Sequence, residues 1–310
     1  MYKCCGNLHT NAQLNGDPTR TKVLRDRFQG EMNKRFRNVR GSIRDAIVDK
    51  DVFALKGIKI SKQAAPNQFD FPTSEAKVSA FIDWLQELED EEILEVTERS
   101  EGRISERNAW ERKYIRSAYQ QGIERGRQEL RNAGYDVPTL AGSGGLMAVF
   151  NRPFHADRVG LLYTRVFREL KGITDSMDQQ ISRVLSKGIA EGRNPRELAQ
   201  WLNRTITGPY GDLEIVDSLG RTVPAQRRAQ ILARTEIVRA HHKATINEYK
   251  EAGVKGVEVQ AEWSTAGDSR VCPICRPLEG EVFSIDEIED MIPRHPQCRC
   301  AAIPAGVGEE

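Results

Sequence analysis

Residues 257–283 read VEVQAEWSTAGDSRVCPICRPLEGEVF. The first seven alternate strictly, with Val257, Val259, Ala261 and Trp263 on one face and Glu258, Gln260 and Glu262 on the other. That period predicts a half-buried strand. A C-x-x-C pair follows, Cys272 and Cys275, and HPQCRC at 295–300 then adds His295, Cys298 and Cys300. Four of the six cysteines and one of the five histidines fall in this short stretch. A C-x-x-C turn aims two thiolates at one point, and a second cluster completes a tetrahedron. The spacing therefore predicts a structural zinc ion held by four of these five side chains. Two other readings are reduced thiols packed in a small core and a thiol redox centre. A redox pair usually opens a helix within a βαβ unit, whereas this one follows a strand and STAGDSR. The module at 257–305 is too short for a large core, and a metal cross-link would compensate.

Working outward, the residues before the strand predict a helix over roughly 224–252. Its apolar stripe is Ala229, Leu232, Ala233, Ile237, Ala240 and Ala244, and Gly253 ends it. Glu236 falls on that stripe. A carboxylate there needs a partner, and Arg270 or the ring N–H of His295 is expected to supply it, tying the helix to the module. His241 and His242 are expected to face solvent.

Further upstream, Val159, Leu162, Tyr163, Val166, Phe167 and Leu170 keep helical spacing. Thr174 is expected to open a second helix that Gly192 ends. Asn194-Pro195 opens a third, pairing a cap residue with proline at the first helical position. Residues 207–224 read as a turn-rich loop. The stretch 136–154, with two prolines and a Gly-Ser cluster, is the expected linker. The expected division is a helical N-terminal arm at 1–135, that linker, a domain at 155–305 and a tail at 306–310.

The arm reads as long helices. One starts near Asp17-Pro18-Thr19, with Asp17 or Thr19 as cap. Another is capped by Thr73 or Ser74, with Val78, Phe81, Ile82, Leu85 and Leu88 on its apolar face. A third runs through Trp110, Tyr114, Ile115, Ala118 and Ile123 and stops at Gly134. The first 50 residues carry 11 Lys/Arg against 5 Asp/Glu, and an acidic block, ELEDEEILE, follows the second helix. These blocks either pair with each other or form solvated faces.

The fold class is therefore α+β and predominantly helical: long N-terminal helices, then a helical C-terminal domain carrying a small metal-stabilised β module. Of the 310 residues, 39% are hydrophobic and 29% charged, and the net charge is +1. That balance excludes wholesale disorder and gives no global bias toward nucleic acid. No apolar run approaches the ~20 residues of a membrane span, and none resembles a signal peptide. Synthesis in the cytoplasm is expected, where structural disulfides are rare.

The segments RRAQILARTEIVRAHHKATINEYKEAG, AEWSTAGDSRVCPICRPLEGEVF and PRHPQCRCAAIP, in this order, resemble the phage Mu F-like head morphogenesis family of tailed bacteriophages. The shared elements are the ARTE helix, W-x-T-x-x-D-x-R-V-C-x-x-C, L-x-G and H-P-x-C-R-C, over roughly 154–304. The resemblance implies a minor capsid protein of the virion that associates with the portal vertex or capsid interior. It further implies work in the host cytoplasm during head assembly, DNA packaging or ejection. Its implied partners are the portal protein, other capsid or scaffolding proteins, and packaged DNA through the basic N-terminal segment; no membrane is involved. The family's metal pattern carries onto Cys272, Cys275, His295, Cys298 and Cys300. No shared catalytic activity is implied, although related domains occur fused to toxin enzymes, so the expectation is a protein that is not an enzyme. Two alternatives belong to other classes. One is a nucleic-acid-binding protein using the zinc module, which lacks a strong basic balance and aromatic platforms. The other is a metal-dependent hydrolase with His295 or Glu236 as base, which would need an open coordination position.

Overall fold

The structure, a computed structural model, describes residues 17–55, 74–95, 99–100, 103–104, 110–207, 223–253 and 259–305. The expected loop at 207–224 and the alternating residues Val257 and Glu258 lie largely outside them. The helices are α1 (Lys22–Arg44), α2 (Ser74–Glu89), α3 (Arg112–Asn132), α4 (Leu146–Phe150), α5 (Pro153–Ala190), α6 (Pro195–Thr207), α7 (Ala225–Gly253) and α8 (Ile285–Ile288). Two two-residue strands, β1 (Arg99–Ser100) and β2 (Arg103–Ile104), pair with each other. Strands β3 (Gln260–Ser264), β4 (Val282–Ser284) and β5 (Ala301–Pro304) form an antiparallel sheet in the order β4-β3-β5. The protein is thus predominantly helical with a small C-terminal sheet. Among the described residues, no helix is long and apolar enough to cross a membrane.

The chain divides into two compact units. The first takes Met1–Phe28, Glu111–Arg165 and Leu232–Glu310; the second takes Gln29–Trp110 and Val166–Ile231. The stretch 136–154, read as a linker, lies inside the first unit and contains α4, whose Val149 and Phe150 are buried. Arg127 holds that stretch through the carbonyl of Pro138 (3.3 Å) and the hydroxyl of Ser143 (2.8 Å).

In the second unit, Met32, Phe36, Val39 and Ile43 of α1 are buried, as are Val78, Phe81 and Leu85 of α2 and Leu198 and Leu202 of α6. The basic and acidic blocks do meet here: Arg35 donates to the Glu92 carbonyl at 2.8 Å and stacks 4.2 Å above the Trp110 ring. Helix α5 is continuous through Thr174, so no new helix opens there. The Thr174 hydroxyl instead donates to the Lys171 carbonyl at 2.9 Å, which lets a polar β-branched residue sit inside a helix. Gly192 ends the helix at φ +66° as expected, and the Asn194 side chain accepts the Glu197 N–H at 3.0 Å as the cap of α6.

Helix α1 begins after a turn that neither expected residue caps directly. Asp17 accepts from the Thr19 hydroxyl (2.6 Å) and from the buried Arg25 guanidinium, fixing the turn ahead of Lys22.

The first unit is organised around α7. Its expected stripe is buried, yet so are the polar residues His241, His242, Thr245, Asn247 and Glu248. Helix α3 reaches it through two glycines. A Cβ on Gly122 would lie 2.3 Å from the His241 carbonyl oxygen, and one on Gly126 would lie 3.0 Å from the Glu248 Cβ. Only glycine permits that approach.

Candidate metal centre

Strand β3 behaves as its alternation predicts, with Val259, Ala261 and Trp263 buried. Its pairing with β4 continues past the regular ladder: Trp263 N–H donates to Glu281 O (2.8 Å), and Gly280 N–H to Trp263 O (2.9 Å). The C-x-x-C turn therefore sits in the loop of a β-hairpin. The Cys275 N–H lies 3.3 Å from the Cys272 sulfur, and Arg276 N–H donates to the Cys272 carbonyl at 3.0 Å. The second cluster is a turn as well, closed by Cys298 N–H donating to His295 O at 3.1 Å. It ends where β5 pairs back onto β3. Between the two clusters, α8 is held by a capping box in which Ser284 and Glu287 satisfy each other's backbone N–H.

The fold brings all five predicted ligands together in two overlapping groups: Cys272, Cys275 and His295, and Cys275, Cys298 and Cys300. Within each group the ligand atoms lie within 4.8 Å of one another, and Cys275 belongs to both. Sulfurs around one tetrahedral zinc, each at about 2.3 Å from it, stand about 3.8 Å apart, so a small contraction suffices. His295 is oriented as a metal ligand would be. Its Nδ1 lies 2.8 Å from the Pro296 carbonyl, which accepts only from a protonated nitrogen. In the neutral ring this leaves the lone pair on Nε2, which faces the Cys272 sulfur at 3.1 Å.

Cys275, Cys298 and Cys300 belong to the same apolar cluster as Leu130, Tyr135, Ile246, Tyr249 and Trp263. Burial pushes the Cys275 thiol up to about 12. The hydrogen bond between Cys298 and Cys300, together with burial, raises the Cys300 thiol, and the same hydrogen bond draws Cys298 down to about 5 despite burial. Three thiolates could not all ionise in this core alone; a divalent cation is the charge that would let them.

Two contacts lace the module together. Arg299, between Cys298 and Cys300, places its two terminal nitrogens 2.6 and 2.8 Å from the two carboxylate oxygens of Asp268. Thr235 on α7 accepts the Gln297 N–H at 3.0 Å. Thr235, Asp268 and Arg299 all fall within the motifs quoted above, but the sequence assigned them no role, because which residues pair across the fold has no spacing signature.

The expected link through Glu236 takes a different form. Glu236 is buried, and its Oε1 accepts from Arg239 (3.1 Å) and Arg165 (3.3 Å). Arg270 lies on Asp268 (2.7 Å), and the ring N–H of His295 is committed to Pro296. Arg239 is one helical turn from Glu236 and Arg165 comes from α5, so the carboxylate is compensated before the module is reached. His241 and His242 are buried rather than solvent-facing. His242 donates through Nε2 to the Ile288 carbonyl at 3.1 Å, and burial holds it neutral, with its pKa lowered to about 4.

A third group with ligand-type atoms, His155, Glu248 and Glu251, is already balanced. Arg127 bonds Glu248 at 2.7 Å, Arg152 bonds Glu251 at 2.6 Å, and His155 bridges Tyr119 (3.1 Å) and Glu248 (3.3 Å). Two carboxylates against two guanidinium groups leave no net charge for a cation, so this is an ion network joining α3, α5 and α7.

Comparison with known proteins gives one family, Phage Mu protein F like protein, matching residues 179–303. The chain is also 24% identical over 123 residues to NAD(+)--arginine ADP-ribosyltransferase EFV of Enterococcus faecalis, covering 40% of this chain and 22% of that enzyme. No solved structure matches. The matched family points to phage head morphogenesis, and its segment contains the ARTE helix, the sheet and all five ligand-type residues. What the comparison establishes is a likeness of residues 179–303 to the Phage Mu protein F like family.

Proposed function

We propose that the protein is a minor head protein of a tailed bacteriophage, residing at the capsid interior or portal vertex and assembled there in the host cytoplasm. Its work is structural, in head assembly and in DNA packaging or ejection, and it is not an enzyme. The observation that carries this reading is the five-residue Cys/His cluster buried inside the segment that matches the phage family. Four of Cys272, Cys275, His295, Cys298 and Cys300 would hold a structural zinc ion, with Cys275 in any set because both groups share it. Such an ion supplies the cross-link that a three-stranded sheet with few core residues lacks. With soft ligands enough to fill four positions, the shell is closed and leaves no place for a reacting water.

The same family likeness supports portal, capsid or scaffolding proteins as partners. Packaged DNA would meet the basic N-terminal segment, where Lys34, Arg37 and Arg44 are exposed on α1. The ADP-ribosyltransferase matches over too small a share of its own length for its activity to be carried to this chain.

The deciding experiment is co-purification of the tagged protein with the portal protein and procapsids made by the same phage, with metal analysis of the purified protein. Association with portal or procapsid and about one tightly held zinc per chain are expected. A metal-loaded protein that binds neither would overturn the head-assembly reading.

A further inference from the structure

The metal cluster joins two pieces of chain that meet only in space, the hairpin loop with Cys272 and Cys275 and the turn with His295, Cys298 and Cys300. Something must hold the pieces in register while buried thiols repel a second charge. The ion pair of Asp268 and Arg299 is placed for that task. Asp268 is fixed by its own loop: its carboxylate accepts the Arg270 N–H at 3.0 Å, and its carbonyl accepts the Val271 N–H at 3.1 Å. It thus presents a pre-aimed carboxylate one turn before Cys272. Arg299 lies between two ligand-type cysteines, so wherever its guanidinium is held, Cys298 and Cys300 are held too. The contact uses both oxygens and two nitrogens, the fork geometry that fixes orientation as well as distance. Both side chains are more than two-thirds covered, at 17% and 28% exposure, unlike Arg270 at 76%.

We propose that Asp268 and Arg299 are the positioning pair of the metal clamp, closing its two halves on each other so that zinc enters an assembled site. This rests on the reading of the Cys/His cluster as a zinc site. The pair touches no metal; it acts by removing the loop-closure cost that the ion would otherwise meet.

The test uses the full chain and zinc itself. Zinc affinity is measured by competition with a chromophoric chelator, zinc loss is timed in excess EDTA, and the ligand set is read from the sulfur-to-cobalt bands of the cobalt-substituted protein. Asp268→Asn and Arg299→Lys are each expected to weaken zinc binding by about 10- to 100-fold and to speed its loss, with the cobalt spectrum at saturation unchanged. Arg270→Ala, which leaves the Asp268–Arg299 pair intact, should stay within about twofold of the unaltered protein. The double variant should lose no more than the worse single one, because the two residues act as one unit. Normal affinity and loss rate in both single variants would overturn the proposal while leaving the zinc site standing, and so would fully additive losses in the double. An altered cobalt spectrum would also overturn it, by making one of the pair part of the ligand shell. An unaltered protein that takes up no zinc would overturn the zinc site itself, and the proposal with it.

Discussion

Thr235 of α7 accepts, through its hydroxyl oxygen, the backbone N–H of Gln297 at 3.0 Å. Gln297 sits at φ +63° in the turn between His295 and Cys298, a conformation that needs an outside contact to hold it. Thr235→Val removes the acceptor while keeping the shape, leaving the N–H unpaired. The expected cost is about 1–3 kcal/mol, and Thr235→Ser should recover most of it. Thermal melts, with hydrogen exchange at the Gln297 amide, check this; an unmoved melting point in Thr235→Val would refute it.

The seam between α3 and α7 makes a ranked prediction. Gly122→Ala forces a methyl against the His241 carbonyl oxygen at 2.3 Å and the Ala244 Cβ at 2.7 Å, and backbone cannot swing aside. Its cost should be at least about 1–3 kcal/mol. Gly126→Ala, at 3.0 Å from a side-chain Cβ, should cost less. Gly30→Ala on α1 meets nothing within 4 Å and should stabilise by up to about 1 kcal/mol. Urea titration of the three variants tests the order.

Acid should loosen the first unit through its buried histidines. Burial lowers His242 to about 4 and lowers His241 as well. A histidine whose folded pKa lies below its unfolded value of about 6.5 contributes stability that is present above that pH. The contribution is lost as pH falls from about 6.5 toward 4, and for His242 it is on the order of 3 kcal/mol. His242→Gln can still donate to Ile288 but cannot titrate, so its stability should fall less steeply over that range. Melts at half-unit pH steps decide the matter, and parallel slopes would count against it.

In the second unit the sign is reversed. Burial, with the nearby charge of Asp178, pushes the Glu89 carboxyl up to about 10. A carboxyl raised above its unfolded value of about 4.3 contributes stability that is complete below that pH and is lost as pH rises through its folded value. Stability of this unit should therefore fall from about pH 5 toward pH 9, and Glu89→Gln should flatten the fall and stabilise at neutral pH. Hydrogen exchange resolved to α2 is the measurement; a flat profile in the unaltered protein would contradict the raised Glu89 carboxyl.

The parts of this protein legible in its sequence are those whose cause is local. Val259, Ala261 and Trp263 alternate because a strand alternates, and the five ligand-type residues come together because a hairpin loop and a nearby turn carry them. Gly134, Gly192 and Asn194-Pro195 mark helix ends by backbone chemistry that acts within a turn. The misread parts have distant causes. Glu236 is compensated by Arg165, 71 residues earlier, and His242 is buried by a carbonyl 46 residues later. The Gly-Ser stretch at 141–145 reads as a linker, but its neighbours Val149 and Phe150 pack into the core.

Tyr135 donates its hydroxyl to the Ala305 carbonyl at 3.3 Å, across 170 residues. A polypeptide leaving the ribosome exposes Leu130, Tyr135 and Val137 long before the sheet that covers them has been made. Those residues must wait for β3, β4 and β5, so the first unit is completed only once residue 305 has emerged, whatever has folded before it. A fragment trimmed to 179–303, where the family likeness begins and stops, would carry the cysteines without α3 to roof them and should be recovered as an aggregate.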